Sequence, residues 1–171
     1  MACISIDLDC ALPYALQRLG TPNLILKPEQ QSGIESICSG KDTFVWLPTG
    51  FGKSICYQTL SPFAFDKMSR KCTAGGSVVV VRSPLISLME DQVAGLRKRG
   101  VNAAIVTSGG GVSNEFCFTD DYLGKYSHLF YAPEALISSR WREALVRVRN
   151  NYTTSHAQPW TTQTLFVPSY L

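Results

Sequence analysis

Residues 47–54 have the composition of a loop that binds phosphate groups. They read LPTGFGKS. Gly50 and Gly52 allow backbone conformations and close approaches that a Cβ atom would obstruct. Lys53 would reach the β- and γ-phosphates of a nucleotide, and the Ser54 hydroxyl would coordinate Mg²⁺. The predicted nucleotide contacts of this loop are Thr49, Gly50, Phe51, Gly52, Lys53 and Ser54.

The loop departs at one position from the complete phosphate-loop pattern G-x-x-x-x-G-K-[ST], because Leu47 stands where the first glycine belongs. The T-G-x-G-K-S core is intact. The alternative is a surface turn that contains glycine and lysine by chance. A predicted strand before the loop and a predicted helix after it favour phosphate binding, because a helix N-terminus presents unpaired N–H groups and partial positive charge to phosphate oxygens.

The residues around the loop predict the elements that would position it. A helix is expected from Pro28, which suits a first helical turn, to a stop at Gly40. Residues 43–47, TFVWL, are β-branched and aromatic and predict a buried strand that leads into the loop. Residues 1–26 mix short apolar runs with turn residues, which predicts a lead-in of helix and turn.

The rest of the chain predicts a parallel sheet. Residues 77–82, SVVVVR, are apolar without alternation, as expected for a strand covered on both faces. Further strands are predicted at 102–107 and 129–132. A helix between the first two of these strands is marked by an apolar stripe of Leu85, Met89, Val93 and Leu96. Strands that alternate with helices indicate right-handed crossovers, so the predicted fold class is α/β with a mostly parallel sheet flanked by helices.

The bulk composition excludes several classes of protein. The chain has 171 residues, 45% of them hydrophobic and 17% charged, which is typical of a globular domain. A net charge of +3 is too small by itself to indicate a nucleic-acid partner. The six cysteines include no C-x-x-C pair, so no zinc site is expected and an intracellular location is favoured. Neither a signal peptide nor a membrane span is predicted, so the protein is not expected to be secreted.

Residues 24–145 resemble the first RecA-like domain of RecQ DNA helicases, in helicase superfamily 2. Three blocks carry the resemblance, in the order and spacing of that family. They are KPEQ at 27–30 with SGKD at 39–42, the loop at 47–54 with CYQ at 56–58, and SPLISLMEDQ at 83–92. A weaker fourth block is YAPE at 131–134. The resemblance implies an incomplete RecA-like P-loop domain at 27–146, between the lead-in at 1–26 and a divergent polar tail at 147–171 that is expected to be poorly ordered.

The resemblance also implies roles outside the loop. Gln30 resembles the glutamine that reads adenine, and its alternative is a solvated glutamine at a helix start. Lys27 stands where the family usually has an arginine near the nucleotide, and an ammonium cannot stack or bind in the bidentate way of a guanidinium. Ser83, Pro84 and Leu85 resemble the motif that holds the backbone of single-stranded DNA. An ordinary helix N-cap is the compatible alternative for Ser83.

The carboxylates that the family uses for ATP hydrolysis are not supplied by the tail. The resemblance places an Asp-Glu pair after the block at 131–134, one residue to hold Mg²⁺ through water and one to orient the attacking water. Residues 144–171 contain neither Asp nor Glu, so no catalytic residue is assigned. Replacement of an interior strand by the tail is expected to expose sheet edges, and the short apolar run at 165–167 is too short to replace a normal strand.

The sequence predicts a RecQ-like helicase fragment that binds ATP, Mg²⁺ and, weakly, single-stranded or partly duplex DNA. In the family this lobe helps to drive ATP-dependent 3′-to-5′ unwinding, whereas this chain alone is expected to be inactive. The alternative is a non-enzymatic binding module that sequesters nucleotide, DNA or a helicase partner. A small P-loop kinase is a further alternative, in which the block at 83–92 has no place. The expected location is intracellular, and nuclear in a eukaryote, with no membrane partner.

Overall fold

The computed structural model describes residues 8–39, 41–59, 79–106, 126–133 and 164–166. The chain forms two compact units, residues 1–72 with the C-terminal Leu171, and residues 73–170. Residues 77, 78 and 107, at the ends of two predicted strands, and most of the polar tail lie outside the described residues.

The first unit is built on helices. Helix α1, Leu8–Arg18, buries Ala11, Ala15 and Leu16, and the chain turns at Gly20, which has a φ of 70°. Leu19 follows the helix and is fully buried. A helix followed by a turn is what residues 1–26 predict.

Helix α2, Pro28–Cys38, confirms the helix predicted to begin at Pro28. Proline fits its first turn because the N–H that proline lacks would have no helical partner there. Ile34, Ile37 and Cys38 are all buried on one face. This face packs against helix α3, Lys53–Thr59, which begins directly after the glycine loop and buries Cys56 through Thr59.

The prediction of a buried strand at 43–47 is wrong. The segment belongs to no strand, and the rings of Phe44 and Trp46 are 68% and 73% exposed. Val45, between them, is half-buried. It lies close to Gly33 of α2, because a Cβ atom placed on Gly33 would be only 3.0 Å from the Cγ2 atom of Val45. β-Propensity measures how well side chains pack on neighbouring strands, and among the described residues this segment has no neighbouring strand.

Within the described residues, the second unit contains a four-stranded parallel sheet, which confirms the predicted α/β class. The strands are β1, Val79–Arg82; β2, Ala103–Val106; β3, His128–Tyr131; and β4, Thr164–Phe166. Their order across the sheet is β2-β3-β1-β4, and every adjacent pair is parallel. All four residues of β3 are buried, as are the three valines of β1.

Helix α4, Ile86–Lys98, lies between β1 and β2 in the chain and packs on β2 and β3. Met89, Val93 and Leu96 are buried, as the apolar stripe predicted. The prediction that Leu85 belongs to this stripe is wrong, because Leu85 precedes the helix and is 53% exposed. Gly100, with a φ of 76°, ends the turn after the helix and leads into β2.

Strand β4 lies in the polar tail at 147–171, which was expected from the sequence to be poorly ordered. Thr164–Phe166 pairs with Val80 to Arg82 of β1 in parallel register. Three residues of the tail therefore extend the sheet by one short strand, and the remainder of 147–171 lies outside the described residues. The apolar pair Leu165 and Phe166 was the available signal, but its short length argued against a strand.

Candidate nucleotide-binding site

The glycine loop is a tight turn that leads directly into α3. The backbone N–H of Phe51 donates to the carbonyl oxygen of Pro48 at 3.2 Å, and Ile55 N donates to Gly52 O at 3.1 Å. Gly50 and Gly52 have φ angles of 79° and 88°, in the left-handed region that favours glycine. The conformational role predicted for these two glycines agrees with the geometry.

Lys53 is folded back onto the loop. Its Nζ donates to the carbonyl oxygen of Leu47 at 2.7 Å and to that of Pro48 at 3.1 Å. The side chain is half-buried. Thr49 lies in the same turn and is exposed. The ammonium thus lies against the loop that would surround a phosphate, and a phosphate would compete with two carbonyl groups for it.

Gln30 is packed against the loop from α2. It is only 6% exposed. Its Oε1 accepts from the backbone N–H of Lys27 at 2.9 Å, while its Nε2 donates to the carbonyl oxygens of Phe51 at 2.9 Å and Gly52 at 3.3 Å. The alternative of a solvated glutamine is therefore wrong. The first and second sequence blocks of the resemblance meet at this side chain.

Lys27 and Phe51 make a second contact between α2 and the loop. The Lys27 Nζ lies 3.6 Å from the centroid of the Phe51 ring, which is a cation–π interaction at an exposed position. This pair was not predicted from the sequence. Lys27 and Gln30 are three residues apart at a helix start, which is the spacing of a capping box. The hydrogen bond from Lys27 N to Gln30 Oε1 could therefore have been predicted from the sequence.

Ser54 shares its hydroxyl with a neighbouring tyrosine. Burial raises the pKa of Tyr57 to about 12, and the side-chain hydrogen bond with Ser54 lowers it in part. This hydrogen bond was also missed, although Ser54 and Tyr57 are three residues apart on one helix. The described residues contain no group of three or more His, Cys, Asp or Glu side chains that could hold a metal ion.

The buried thiols near the site are protonated. Burial raises the pKa of Cys56 from 9.0 to about 11. Burial, with a smaller contribution from the Glu35 carboxylate, raises the pKa of Cys38 to about 12. Because the thiolate is the nucleophile, neither cysteine is suited to covalent catalysis at neutral pH.

The predicted DNA-contact residues belong to the second unit, at the carboxyl end of β1. Ser83 is 6% exposed, and its backbone N–H donates to Tyr131 O at 3.1 Å. The Ser83 Oγ accepts from Leu85 N at 3.4 Å. The N-cap position of α4 is occupied by Leu85, without a side-chain cap, so the N-cap alternative for Ser83 is wrong. Pro84 and Leu85 are exposed beyond it.

Every helix in the described residues is too short or too polar to cross a membrane.

The family profile and the relatives that match this chain are all described as helicases. A profile of the DEAD/DEAH box helicase family matches residues 27–150. The chain is 43% identical over 122 residues to the probable ATP-dependent DNA helicase RecS of Bacillus subtilis. It is 32% identical over 117 residues to ATP-dependent DNA helicase Q1 of Rattus norvegicus, and 31% identical over 125 residues to ATP-dependent helicase wrn-1 of Caenorhabditis elegans.

These alignments cover 71%, 67% and 73% of this chain but 22%, 17% and 11% of the respective relatives. The chain therefore spans about a fifth or less of the length of the helicases that it matches. The resemblance to RecQ helicases is confirmed by these relatives. With more than half of its length matched by the family profile, the chain belongs to the DEAD/DEAH box helicase family, and its relatives are RecQ-type DNA helicases.

Proposed function

We propose that this chain is the phosphate-binding part of a RecQ-like helicase motor, which binds ATP with Mg²⁺ at residues 48–54. The observation that carries this proposal is the attachment of Gln30 to the loop carbonyls at 2.9 and 3.3 Å. It joins two separate blocks of the sequence into one structure around the loop. Family membership implies the use of ATP.

The chain's own residues would divide the work of binding the triphosphate. The N–H groups at the start of α3 and the positive-φ glycines suit phosphate oxygens. Lys53 would exchange the carbonyl oxygens of Leu47 and Pro48 for the β- and γ-phosphates. Ser54 would supply one oxygen ligand to Mg²⁺, which neutralises charge on the phosphates when it is bound.

A second part of the proposal concerns DNA. Ser83, Pro84 and Leu85 would contact the backbone of single-stranded or partly duplex DNA, weakly and without reading sequence. The position of these residues at the carboxyl end of β1, where ligands bind in open parallel sheets, supports it. The relatives are named DNA helicases, which also supports an intracellular location, and the nucleus in a eukaryote.

Binding without turnover is the activity proposed for this chain alone. The matching helicases are named ATP-dependent, but residues 144–171 contain no Asp or Glu to activate water. In a longer relative this lobe would contribute to ATP-dependent 3′-to-5′ unwinding. The same observation favours the second candidate, a non-enzymatic module that sequesters nucleotide, DNA or a helicase partner.

Equilibrium dialysis with ATP and Mg²⁺, combined with phosphate release, tests this proposal. We expect wild-type chain to retain ATP and to release phosphate at the background rate, and we expect Lys53→Ala to retain none. Lys98→Ala removes an exposed lysine of α4 and should behave as wild type. Phosphate release that disappears in Lys53→Ala would overturn the inactive assignment, and equal ATP retention in Lys53→Ala would overturn the site.

A further inference from the structure

A cleft opens at the amino ends of strands β2 and β3 in the second unit. Its volume of about 330 Å³ lies at the lower end of the range of small-molecule sites. Strands β2 and β3 begin side by side at Ala103 and His128, whereas Ser83 follows the carboxyl end of β1. Because the three strands are parallel, the cleft is at the end of the sheet opposite to the predicted DNA contacts. It is lined by Arg97, Gly100, Val101, Asn102, Ala103 and Tyr126.

Arg97 reaches this cleft from the last turn of α4. Its Nε donates to the carbonyl oxygen of Ala103 at 2.9 Å, which ties the end of the helix to the start of β2. That contact involves Nε, and the two terminal nitrogens carry the other N–H groups of the guanidinium. None of the six lining residues is acidic. A guanidinium fixed in this way presents positive charge and a planar set of donors that suit a phosphate group.

Tyr126 adds an aromatic ring to the same cleft, from the segment before β3, and it is half-buried. Its neighbour Ser127 is fixed on the turn before β2, because it donates twice to Asn102 O, from N at 2.9 Å and from Oγ at 3.0 Å. Nucleotide bases stack on aromatic side chains, whatever the base. The exposed Asn102 carries an amide that can both donate and accept. The lining therefore offers separate groups to a phosphate and to a base.

The helix dipole gives a simpler reason for basic residues at this place, because cations are stabilised near the carboxyl end of a helix. Arg97 and Arg99 both satisfy that reason. It does not explain why the two side chains differ. Arg99 turns back along α4, where its Nε donates to Gly95 O at 3.0 Å, whereas Arg97 crosses to β2 and lines the cleft with Tyr126.

We propose that this cleft is a second nucleotide site, which takes one phosphate on Arg97 and one base on Tyr126. The loop at 48–54 belongs to the first unit, and the inference does not rest on nucleotide binding there. The ligand is a nucleoside monophosphate, either free or as one unit of single-stranded DNA. Contact with a single phosphate and a single base implies a Kd on the order of 1 mM for the free nucleotide, so micromolar ATP leaves the cleft nearly empty.

Titration of the full chain with thymidine monophosphate, without Mg²⁺, tests the proposal. We expect the NMR signals of the Arg97 Nε–H and of the Asn102 side-chain amide to shift with one common Kd. Lys53→Ala should leave that Kd unchanged, because the loop at 48–54 takes no part. Unmoved signals at about 10 mM nucleotide, or binding that is lost in Lys53→Ala, would overturn the proposal.

Two matched substitutions separate the cleft from general attraction to a basic helix end. Arg97→Gln and Arg99→Gln remove the same charge from neighbouring positions, and the Asn102 amide signal reports binding in both. Arg97→Gln should weaken binding by about tenfold, and Arg99→Gln by less than about twofold. Equal losses in the two variants would overturn the proposal.

The base contact has its own test. In wild type, inorganic phosphate should bind at least about fivefold more weakly than thymidine monophosphate, because it has no base to stack. Tyr126→Leu should remove this difference and Tyr126→Phe should keep it. Equal affinities for the two ligands in wild type would overturn the proposal.

Competition with oligothymidylate distinguishes the two sources of the ligand. Displacement of thymidine monophosphate from the wild-type cleft would support a nucleotide within a strand. Retention of thymidine monophosphate would support a free nucleotide. The proposed contacts with Arg97 and Tyr126 are the same in both cases, and loss of the competition in Arg97→Gln would confirm that the strand enters this cleft.

Discussion

At the scale of single residues, the site is held by contacts that restrict what can replace the loop glycines. Gly52 has a φ of 88°, and a Cβ atom placed on it would lie 2.8 Å from the Gln30 Nε2. Gly50 has a similar φ of 79°, but nothing lies within 4 Å of its Cβ position. The two positions therefore separate backbone strain from a steric clash with Gln30.

Substitution of these glycines by alanine gives a graded prediction. Gly50→Ala should lower the free energy of unfolding by about 1 kcal/mol through backbone strain. Gly52→Ala should cost about 1–2 kcal/mol more, because it also breaks the Gln30 contacts. Gly95→Ala, in the interior of α4 with 3.8 Å to the nearest atom, should be neutral or stabilising by about 0.5–1 kcal/mol. Urea melts would measure all three, and equal costs at Gly50 and Gly52 would contradict the role of Gln30.

The buried thiols give a pH dependence of stability. The pKa values of Cys38 and Cys56 rise from 9.0 to about 12 and about 11 because of burial. The folded state therefore keeps these protons to a higher pH than the unfolded chain does. Their stabilising contribution is complete below pH 9, and it is lost as the pH rises from 9 toward 11 or 12, by up to about 1.4 kcal/mol per pH unit for each thiol.

Urea melts of wild type, Cys38→Ala and Cys56→Ala at pH 8, 9.5 and 10.5 would test this dependence. Each variant should lose less stability than wild type between pH 8 and 10.5. Cys10→Ser, at an exposed cysteine, should follow the wild-type curve. Identical pH profiles for wild type and both buried-cysteine variants would show that the thiols do not titrate as their burial predicts.

At the scale of elements, the positions of most described helices and strands were predictable from the sequence, but the burial and neighbours of each segment were not. Helix α2 and strands β1 to β3 were predictable, because proline placement and uninterrupted valines are local signals. Residues 43–47 carry an equally strong local signal, yet their burial depends on neighbouring strands that a local pattern does not reveal. Strand β4 was not predicted for the converse reason. Its three residues are too few to indicate a strand by themselves, and the pairing with β1 is not visible in a local pattern.

The exposed aromatic rings of the segment at 43–47 lead to a further prediction. Phe44 and Trp46 are tilted against each other with ring centroids 6.0 Å apart, and both lie largely in solvent. Phe44→Thr combined with Trp46→Thr should therefore change the free energy of unfolding by less than about 0.5 kcal/mol for each site. Phe130→Ala, at a ring of β3 that is 1% exposed, should cost about 3–5 kcal/mol.

Urea melts of the two variants provide the measurement, and light scattering adds a second readout. The double threonine variant should scatter less, because exposed apolar side chains promote association between chains. A loss of several kcal/mol in the double variant would show that residues 43–47 are packed in a core, as their composition alone predicts.

At the scale of the whole molecule, the family was predictable from three short blocks, and the match to residues 27–150 agrees with them. The internal arrangement of the site was not predictable. A sequence motif gives residue types and spacing but not the contacts between the side chains. The contacts that it did not predict are those of Lys53 with the carbonyl oxygens of its own loop, of Lys27 with the Phe51 ring, and of Gln30 with two loop carbonyl oxygens. The motif specifies which groups are available, whereas the three-dimensional contacts determine which of them are already engaged.

Nucleotide binding by the loop at 48–54 can be tested with a thermal melt of wild type and Lys53→Ala at increasing concentrations of ATP and Mg²⁺. A ligand that binds only the folded state stabilises it by about 2.7 kcal/mol at 100 times its Kd. We expect the wild-type Tm to rise with ATP concentration, whereas the Tm of Lys53→Ala should stay constant at a slightly lower starting value. A Tm that is independent of ATP in wild type, or that rises equally in both proteins, would contradict it.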